Sequence, residues 1–400
     1  MSITLADIEE AHLAIAPFVL RTRTLPAPIL SSLTGAEVYL KYENMQVTSS
    51  FKERGALWKL LSLSRAQRDR GVVTMSAGNH AQAVARHASR LCIPATVVMP
   101  ATTPFVKIKA TEDFGARVIL EGQSIADAQQ RAESLVRERD LTMVHPYDDQ
   151  RVIAGQGTLA LEMIEDVPDI EILIIPVGGG GLIAGCSVAV HAKRTNMEII
   201  GVQSCLYPSM WNAINHGQKP VGGLTLAEGI AVRNVGRLTE PICRQLVSRI
   251  VLVDDTDLER AIYSFLTLQK TMVEGAGAAG LAAMLAAPSL FRGRRVGLIL
   301  SGGNIDPRVL ATITVRGLER EARIVTFNLT TNQERNALVE ISKRVEALHG
   351  HIMEVHHSRL FLDAPSRGTS IQLTIETADE GHIAQIERVL RAEGYQIRRL

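Results

Sequence analysis

Residues 170–185 read Ile170-Glu-Ile-Leu-Ile-Ile-Pro-Val-Gly-Gly-Gly-Gly-Leu-Ile-Ala-Gly185: an apolar run, four consecutive glycines, then a helix-forming segment to about Arg194. The run Ile170–Val177 is short and almost wholly apolar, the pattern of a strand buried on both faces. Such a strand needs helices above and below and neighbours reached by crossover connections. The glycines carry a second message. Without Cβ atoms, backbone N–H groups can approach an anion closely, and the helix start beyond them supplies positive potential. The natural reading is a phosphate cradle; the alternative is a tight, closely packed strand-to-helix turn. The spacing is not Gly-x-Gly-x-x-Gly as a dinucleotide site would place it. Nor is it a Walker loop, because no Gly-Lys-Ser/Thr follows.

The same cadence runs outward in both directions. Val72–Met75, Ala95–Met99, Arg117–Leu120, Ile199–Gln203, Ile250–Val253 and Arg295–Leu300 read as further strands. Between them Ala81–Ser89, Pro104–Phe114 and Ser124–Asp140 read as helices. Strand, helix, strand over about 300 residues predicts an α/β body with parallel-rich sheets. Near residue 320 the rhythm changes. Arg323–Leu329, His351–Arg359, Thr369–Thr377 and Tyr395–Arg399 read as strands, and Asn332–Leu348 and Gly381–Ala392 as helices. That order, βαββαβ, is the ferredoxin-like α+β pattern. The charged segment Arg316–Ala322 is the candidate joint.

Composition narrows the classes. The 400 residues are 46% hydrophobic and 21% charged, with Lys+Arg 43 against Asp+Glu 42. The balance is that of a globular chain and excludes disorder and collagen-like structure. A net charge of +1 offers no electrostatic argument for nucleic acid or a membrane surface. The N-terminus lacks a basic start followed by an apolar block, and no apolar stretch approaches the roughly 20 residues of a membrane span. A cytoplasmic location is expected. Cys92, Cys186, Cys205 and Cys243 show no CxxC spacing and read as buried free thiols.

Three more segments bear chemistry. In Glu43-Asn-Met-Gln-Val-Thr-Ser-Ser-Phe-Lys-Glu-Arg-Gly-Ala56, Lys52 opens a helical stretch. A cation there is at the wrong end for the macrodipole. Desolvated, its amine becomes a nucleophile or base; left in water, it is an ordinary surface lysine. Thr74-Met-Ser-Ala-Gly-Asn-His80 and Leu300-Ser-Gly-Gly-Asn304 each follow a strand, where α/β folds collect ligands, although each also reads as a capped turn. Together, an amine, a phosphate cradle and two polar loops match what a phosphorylated aldehyde cofactor needs.

These four segments, in this order, resemble the serine/threonine dehydratase family of fold type II pyridoxal-phosphate enzymes, whose fold is similar to the tryptophan synthase β subunit. The resemblance covers about residues 5–320; the whole chain resembles the form carrying one C-terminal ACT-type regulatory domain. It implies a catalytic body at 1–320, with a smaller mobile subdomain at roughly 50–150, and an ACT-like domain at 323–400. It implies pyridoxal 5'-phosphate held by Lys52, which, freed by substrate, removes the α-proton. Phe51 packs on the ring, Gly178, Gly179, Gly180 and Gly181 bind the phosphate, Asn79 contacts the ring hydroxyl and Ser301 faces the ring nitrogen. Ser76, Ala77, Gly78, Asn79 and His80 would hold the substrate carboxylate.

The implied reaction is deamination of L-threonine to 2-oxobutanoate and ammonia by β-elimination, with L-serine to pyruvate beside it. Racemases similar to this chain carry a serine where Ala77 stands, which disfavours racemisation. Their divalent-cation carboxylates are replaced here by Gln203 and Ser209, so no such metal is expected. β-Replacement relatives show Asn-Thr in place of Asn79-His80. An alternative substrate is threo-3-hydroxyaspartate, for which Arg54 and Arg233 are candidate cations; an alternative class is a non-catalytic amino-acid sensor. In the tail, Thr330-Thr-Asn-Gln-Glu-Arg-Asn-Ala337 departs from the Asp-x-Pro-Gly of ACT domains, the loop that shapes an amino-acid effector site. Of His356 and His357, one is expected packed and one solvated. A homodimer or homotetramer is expected from the resemblance.

Overall fold

Every residue of the strand Ile172–Pro176 is buried, as its unbroken apolar sequence requires. In the computed structural model, which describes residues 3–194, 196–331, 336–358 and 369–400, this strand lies inside a six-stranded sheet. Across that sheet the order is Thr24–Pro26, Glu37–Lys41, Arg295–Ile299, Ile172–Pro176, Glu198–Ser204, Arg249–Val253. All neighbours are parallel except the antiparallel first pair. A second, fully parallel sheet runs Arg117–Leu120, Ala95–Met99, Val72–Met75, Thr142–Met143. This is the two-sheet α/β body that the resemblance implies. Thr24–Pro26, Glu37–Lys41 and Thr142–Met143 escape sequence reading because they are short or begin and end in polar residues.

One helix sets the distance between the two chemistry-bearing helices. Gln150–Asp166 is buried along most of its length and was not marked by strand–helix alternation. At Gly155 a Cβ would lie 2.7 Å from the Cα of Gly55, and at Gly157 a Cβ would lie 2.7 Å from the carbonyl oxygen of Gly185. Glycine at these crossings lets the helix Lys52–Leu61 on one side and Gly181–Lys193 on the other approach backbone to backbone.

By its internal contacts the chain divides into Met1–Ile305 and Asp306–Leu400, so the helix Pro307–Arg320 groups with the second unit. There an antiparallel sheet runs His351–Ser358, Thr369–Glu376, Ile324–Thr331, Gln396–Arg399. The helices Ala337–Ala347 and Glu380–Ala392 give Ile341, Val345, Ile383, Ile386 and Leu390 to its core. His356 and His357 are both exposed, contrary to expectation. Their strand is the sheet edge and is bulged between Ile352 and Glu354, so neither face is covered there as an inner strand's would be. Residues 332–335, the departure from the ACT-type loop, and Arg359 lie outside the described residues.

Candidate active site

Lys52 begins its helix between two fixed points. Glu53 accepts from the Thr48 N–H and pairs with Arg86 (3.0 Å) and His87 (3.2 Å). Arg54, fully buried, pairs with Glu43 (2.8 Å) and Glu162 (2.7 Å). These networks lock the turn on which Lys52 stands. The Lys52 Nζ donates to the Pro146 carbonyl at 2.8 Å and lies 5.2 Å from the Phe51 ring centroid. Burial pushes its amine down to about 8, against the pull of the Glu274 charge.

The glycine turn is fastened from behind. Gly179 O accepts from Thr239 Oγ1 at 2.6 Å and from Gly236 N at 3.1 Å. In a trans peptide the C=O and the next N–H point in opposite directions, so the Gly180 N–H faces away from that anchor. Among the described residues the N–H groups of Gly178, Gly179 and Gly180 donate to no protein acceptor. Gly180 has φ +97°, and a Cβ there would lie 2.6 Å from Thr239 Oγ1; one on Gly179 would enter the Tyr147 ring. The turn opens the 13-residue helix Gly181–Lys193. Pro146 takes the Lys52 hydrogen bond and its neighbour Tyr147 packs on the glycines, so the amine and the turn meet across two consecutive residues.

The remaining segments close around the same cleft. Ser76 Oγ accepts from the Gly78 N–H at 3.3 Å, and a Cβ at Gly78 would meet nothing within 4 Å, so the loop borders open space. His80 Nε2 donates to Val144 O at 2.9 Å. Burial, together with the Lys52 charge, pushes its pKa down to about 3. The imidazole is therefore a neutral anchor that brings no positive charge to the loop, and its buried Nδ1 has no partner. Ser301 is buried, its carbonyl accepting from Phe51 N at 3.1 Å, while Ser50 bridges Gly302. Asn79 Nδ2 donates to Glu274 Oε1 at 2.8 Å, and Asn79 Oδ1 accepts from Asn304 Nδ2 at 2.6 Å. Burial pushes the Glu274 carboxyl up to about 7.

Other residues fall elsewhere. Arg54 is spent in its buried network, and Arg233 is exposed and donates to Val221 O. Gln203 donates to Val177 O (3.2 Å) and accepts from Trp211 N (2.9 Å); Ser209 Oγ donates to Val232 O (2.6 Å). Both therefore tie protein to protein. Cys186 and Cys243 are buried, with thiols pushed up to about 12 by desolvation, but Cys92 and Cys205 are exposed, each standing just past a helix or strand end. No described helix is long and apolar enough to cross a membrane. Sequence reading missed Glu274, Pro146, Tyr147 and Thr239. For Glu274 the available signal was an acid at the N-cap of the small-residue helix Gly275–Ala286.

The family described as "Pyridoxal-phosphate dependent enzyme" matches residues 15–302. An L-threonine ammonia-lyase of Thermotoga maritima is 42% identical over 398 residues, 99% of each chain. The structure of threonine deaminase isoform 2 from Solanum lycopersicum is 35% identical with a TM-score of 0.74, covering 78% of this chain and 87% of that one. Maize serine racemase is 32% identical with a TM-score of 0.73, covering 80% of this chain and all of the other.

Proposed function

Because the chain belongs to the pyridoxal-phosphate dependent enzymes, we propose that it deaminates L-threonine by β-elimination, giving 2-oxobutanoate and ammonia, with L-serine as a second substrate. The observation that carries this reading is one cleft holding a desolvated Lys52 amine beside a glycine turn with unpaired N–H groups. The residues present fit the cofactor: an amine for its aldehyde, and for its phosphate a turn of unpaired N–H groups so tightly backed by protein that glycine is needed at each position. Bound there, pyridoxal phosphate supplies an electron sink conjugated to the substrate amine, which acidifies the α-proton.

The chain's own groups do the rest. Lys52 Nζ would hold the cofactor through its aldehyde and, freed by substrate, would accept the proton from Cα. With its amine at about 8, about one molecule in ten carries it neutral at pH 7, against about one in 3,000 for an ordinary lysine. The N–H groups of Gly178 to Gly181 receive the phosphate, and Thr239 steadies them through Gly179 O. Phe51 would flank the ring, Asn79 would meet its hydroxyl and Ser301 its nitrogen; Ser76 to His80 would orient the substrate carboxylate through backbone and hydroxyl donors. A hydroxyl at the ring nitrogen, instead of a carboxylate, leaves the sink mild, which suits elimination. The methyl of Ala77 has no proton to deliver to the opposite face, which argues against racemisation.

A side chain without charge suits this cleft. Arg54 is committed to Glu43 and Glu162 and is not free for a second carboxylate, and Arg233 is exposed with an N–H on Val221 O. Steady-state comparison of threonine, serine and threo-3-hydroxyaspartate tests the substrate: threonine should have the highest kcat/KM, and preference for 3-hydroxyaspartate would reject the proposal. Turnover itself excludes the sensor reading. The second unit, with its βαββαβ order, we read as an ACT-type regulatory domain, and the assembly as a homodimer or homotetramer; amino-acid titrations of activity and a solution mass measurement check these.

A further inference from the structure

Glu274 is a carboxylate that the proposed mechanism leaves without a task, yet it touches the mechanism's residues. Its Oε1 accepts from Asn79 Nδ2 at 2.8 Å, while Asn304 Nδ2, itself held on Thr48 O at 2.9 Å, donates to Asn79 Oδ1 at 2.6 Å. An asparagine amide alone can turn over with little cost, since its two ends are nearly the same shape. Here an acceptor-only carboxylate grips the nitrogen end and a donor grips the oxygen end. The amide is fixed with its second N–H left for the cleft. Close packing holds Glu274 in turn: a Cβ at Gly302 would lie 2.5 Å from its Oε1, and one at Gly229 3.1 Å.

The charges around the carboxylate are few. Among charged groups, Glu274 acts on Lys52, Lys107 and Glu228 act on Glu274, and the Lys52 charge acts on His80 and His145. Both imidazoles are held neutral in the main by burial, and Lys107 is paired with Glu228 at 2.5 Å. Glu274 is therefore the carboxylate that acts on the Lys52 amine.

We propose that Glu274 is a positioning residue of this site, fixing the Asn79 amide through Oε1. The inference rests on the proposed function, in which Asn79 serves the cofactor, and it assigns to Glu274 the aim of that donor; its charge also opposes the lowering of the Lys52 amine. It follows that the two effects separate by substitution. Glu274→Gln keeps an acceptor for Asn79 and removes the charge; Glu274→Ala removes both.

The test uses the full-length chain. After cofactor removal, the pH dependence of Lys52 acetylation is read by peptide mass spectrometry, and cofactor affinity is read from visible absorbance on adding pyridoxal phosphate back. In Glu274→Gln the Lys52 midpoint should fall by about one pH unit, with cofactor Kd within about threefold of the parent. In Glu274→Ala the same shift should come with a Kd raised about tenfold or more, the loss of one charged hydrogen bond. A merely structural residue would lower thermal stability and leave the cofactor Kd in place. An unchanged Kd in Glu274→Ala, or a Kd raised as far in Glu274→Gln as in Glu274→Ala, overturns the proposal. Failure of the parent chain itself to bind the cofactor would instead overturn the functional reading, so the two failures are distinct.

Discussion

Lys41 is fully buried and Lys52 half-buried, and the surroundings of these two lysines have opposite consequences. The Lys41 Nζ lies 2.6 Å from Glu162 and 2.7 Å from the Thr22 carbonyl. Glu162 and Glu43 also clasp Arg54, so two cations and two carboxylates close on one another inside the body. Burial lowers the Lys41 pKa, and the Glu162 and Glu43 charges oppose that. Lys52, eleven residues on, has a carbonyl and a ring face instead of an ion pair. The paired cation is structural and inert; the unpaired one is destabilising and reactive. Both lie within one stretch, where Arg54 and Glu53 are sunk in their networks so that Lys52 between them stands fixed.

The largest expected effect tests the reactive half. Lys52→Ala should lower kcat for threonine by about 10⁴-fold or more and remove the visible band of bound cofactor, measured by 2-oxobutanoate formation and absorbance. Full product formation in that variant would sink the assignment. Next comes the structural half. Arg54→Met leaves Glu43 and Glu162 short of a partner in the interior and should cost about 3–5 kcal/mol of folding stability, read by denaturant unfolding. If it melts like the parent, the network is not what holds the Lys52 turn.

The sequence made the reactive half far more legible than the structural half. Lys52, the four glycines, Ser76–His80 and Ser301 announce themselves because each follows an apolar strand or breaks a pattern, and local pattern is what a sequence displays. The strands Val72–Met75, Ala95–Met99 and Arg117–Leu120 were legible to the residue for the same reason. Arg54 was read as a cation for substrate because its partners, Glu43 and Glu162, stand 11 and 108 residues away and no spacing announces them. Glu274 was silent for a related reason: its meeting with Asn79 spans 195 residues. The helix Gln150–Asp166 reads as apolar but says nothing of the glycine crossings that make it a spacer.

A smaller effect probes the cradle. Gly180→Ala forces a Cβ onto a backbone at φ +97° and 2.6 Å from Thr239 Oγ1. The left-handed conformation alone costs about 1–2 kcal/mol, and pyridoxal phosphate affinity should drop about tenfold as the N–H groups tilt; equal affinity would remove the turn from the site. The stability cost of the reactive amine can be seen directly. Lys52 falls from 10.5 to about 8 on folding, so between those values the unfolded chain binds more protons and native stability rises with pH. The cofactor-free Lys52→Met chain should thus melt a few degrees above the cofactor-free parent at pH 7, the gap narrowing from pH 8 to 10.5. A gap independent of pH would mean the amine is as well solvated as a surface lysine.

The smallest effect isolates burial from distance. His356 and Glu354 approach to 2.9 Å, comparable with the 2.6 Å of Lys41 and Glu162, yet their side chains are 64% and 62% exposed where Lys41 and Glu162 show 0% and 3%. Their strand places residues two apart on one face, which is enough to bring them together without any wider network. Water screens such a pair and neither partner gave up hydration to form it, so its contribution is about 0–1 kcal/mol. His356→Ala should therefore leave the melting temperature within a degree or two and threonine turnover unchanged. A loss comparable with that of Arg54→Met would mean that proximity, rather than removal from solvent, sets the worth of an ion pair in this chain, and the contrast between Lys41 and Lys52 would lose its physical basis.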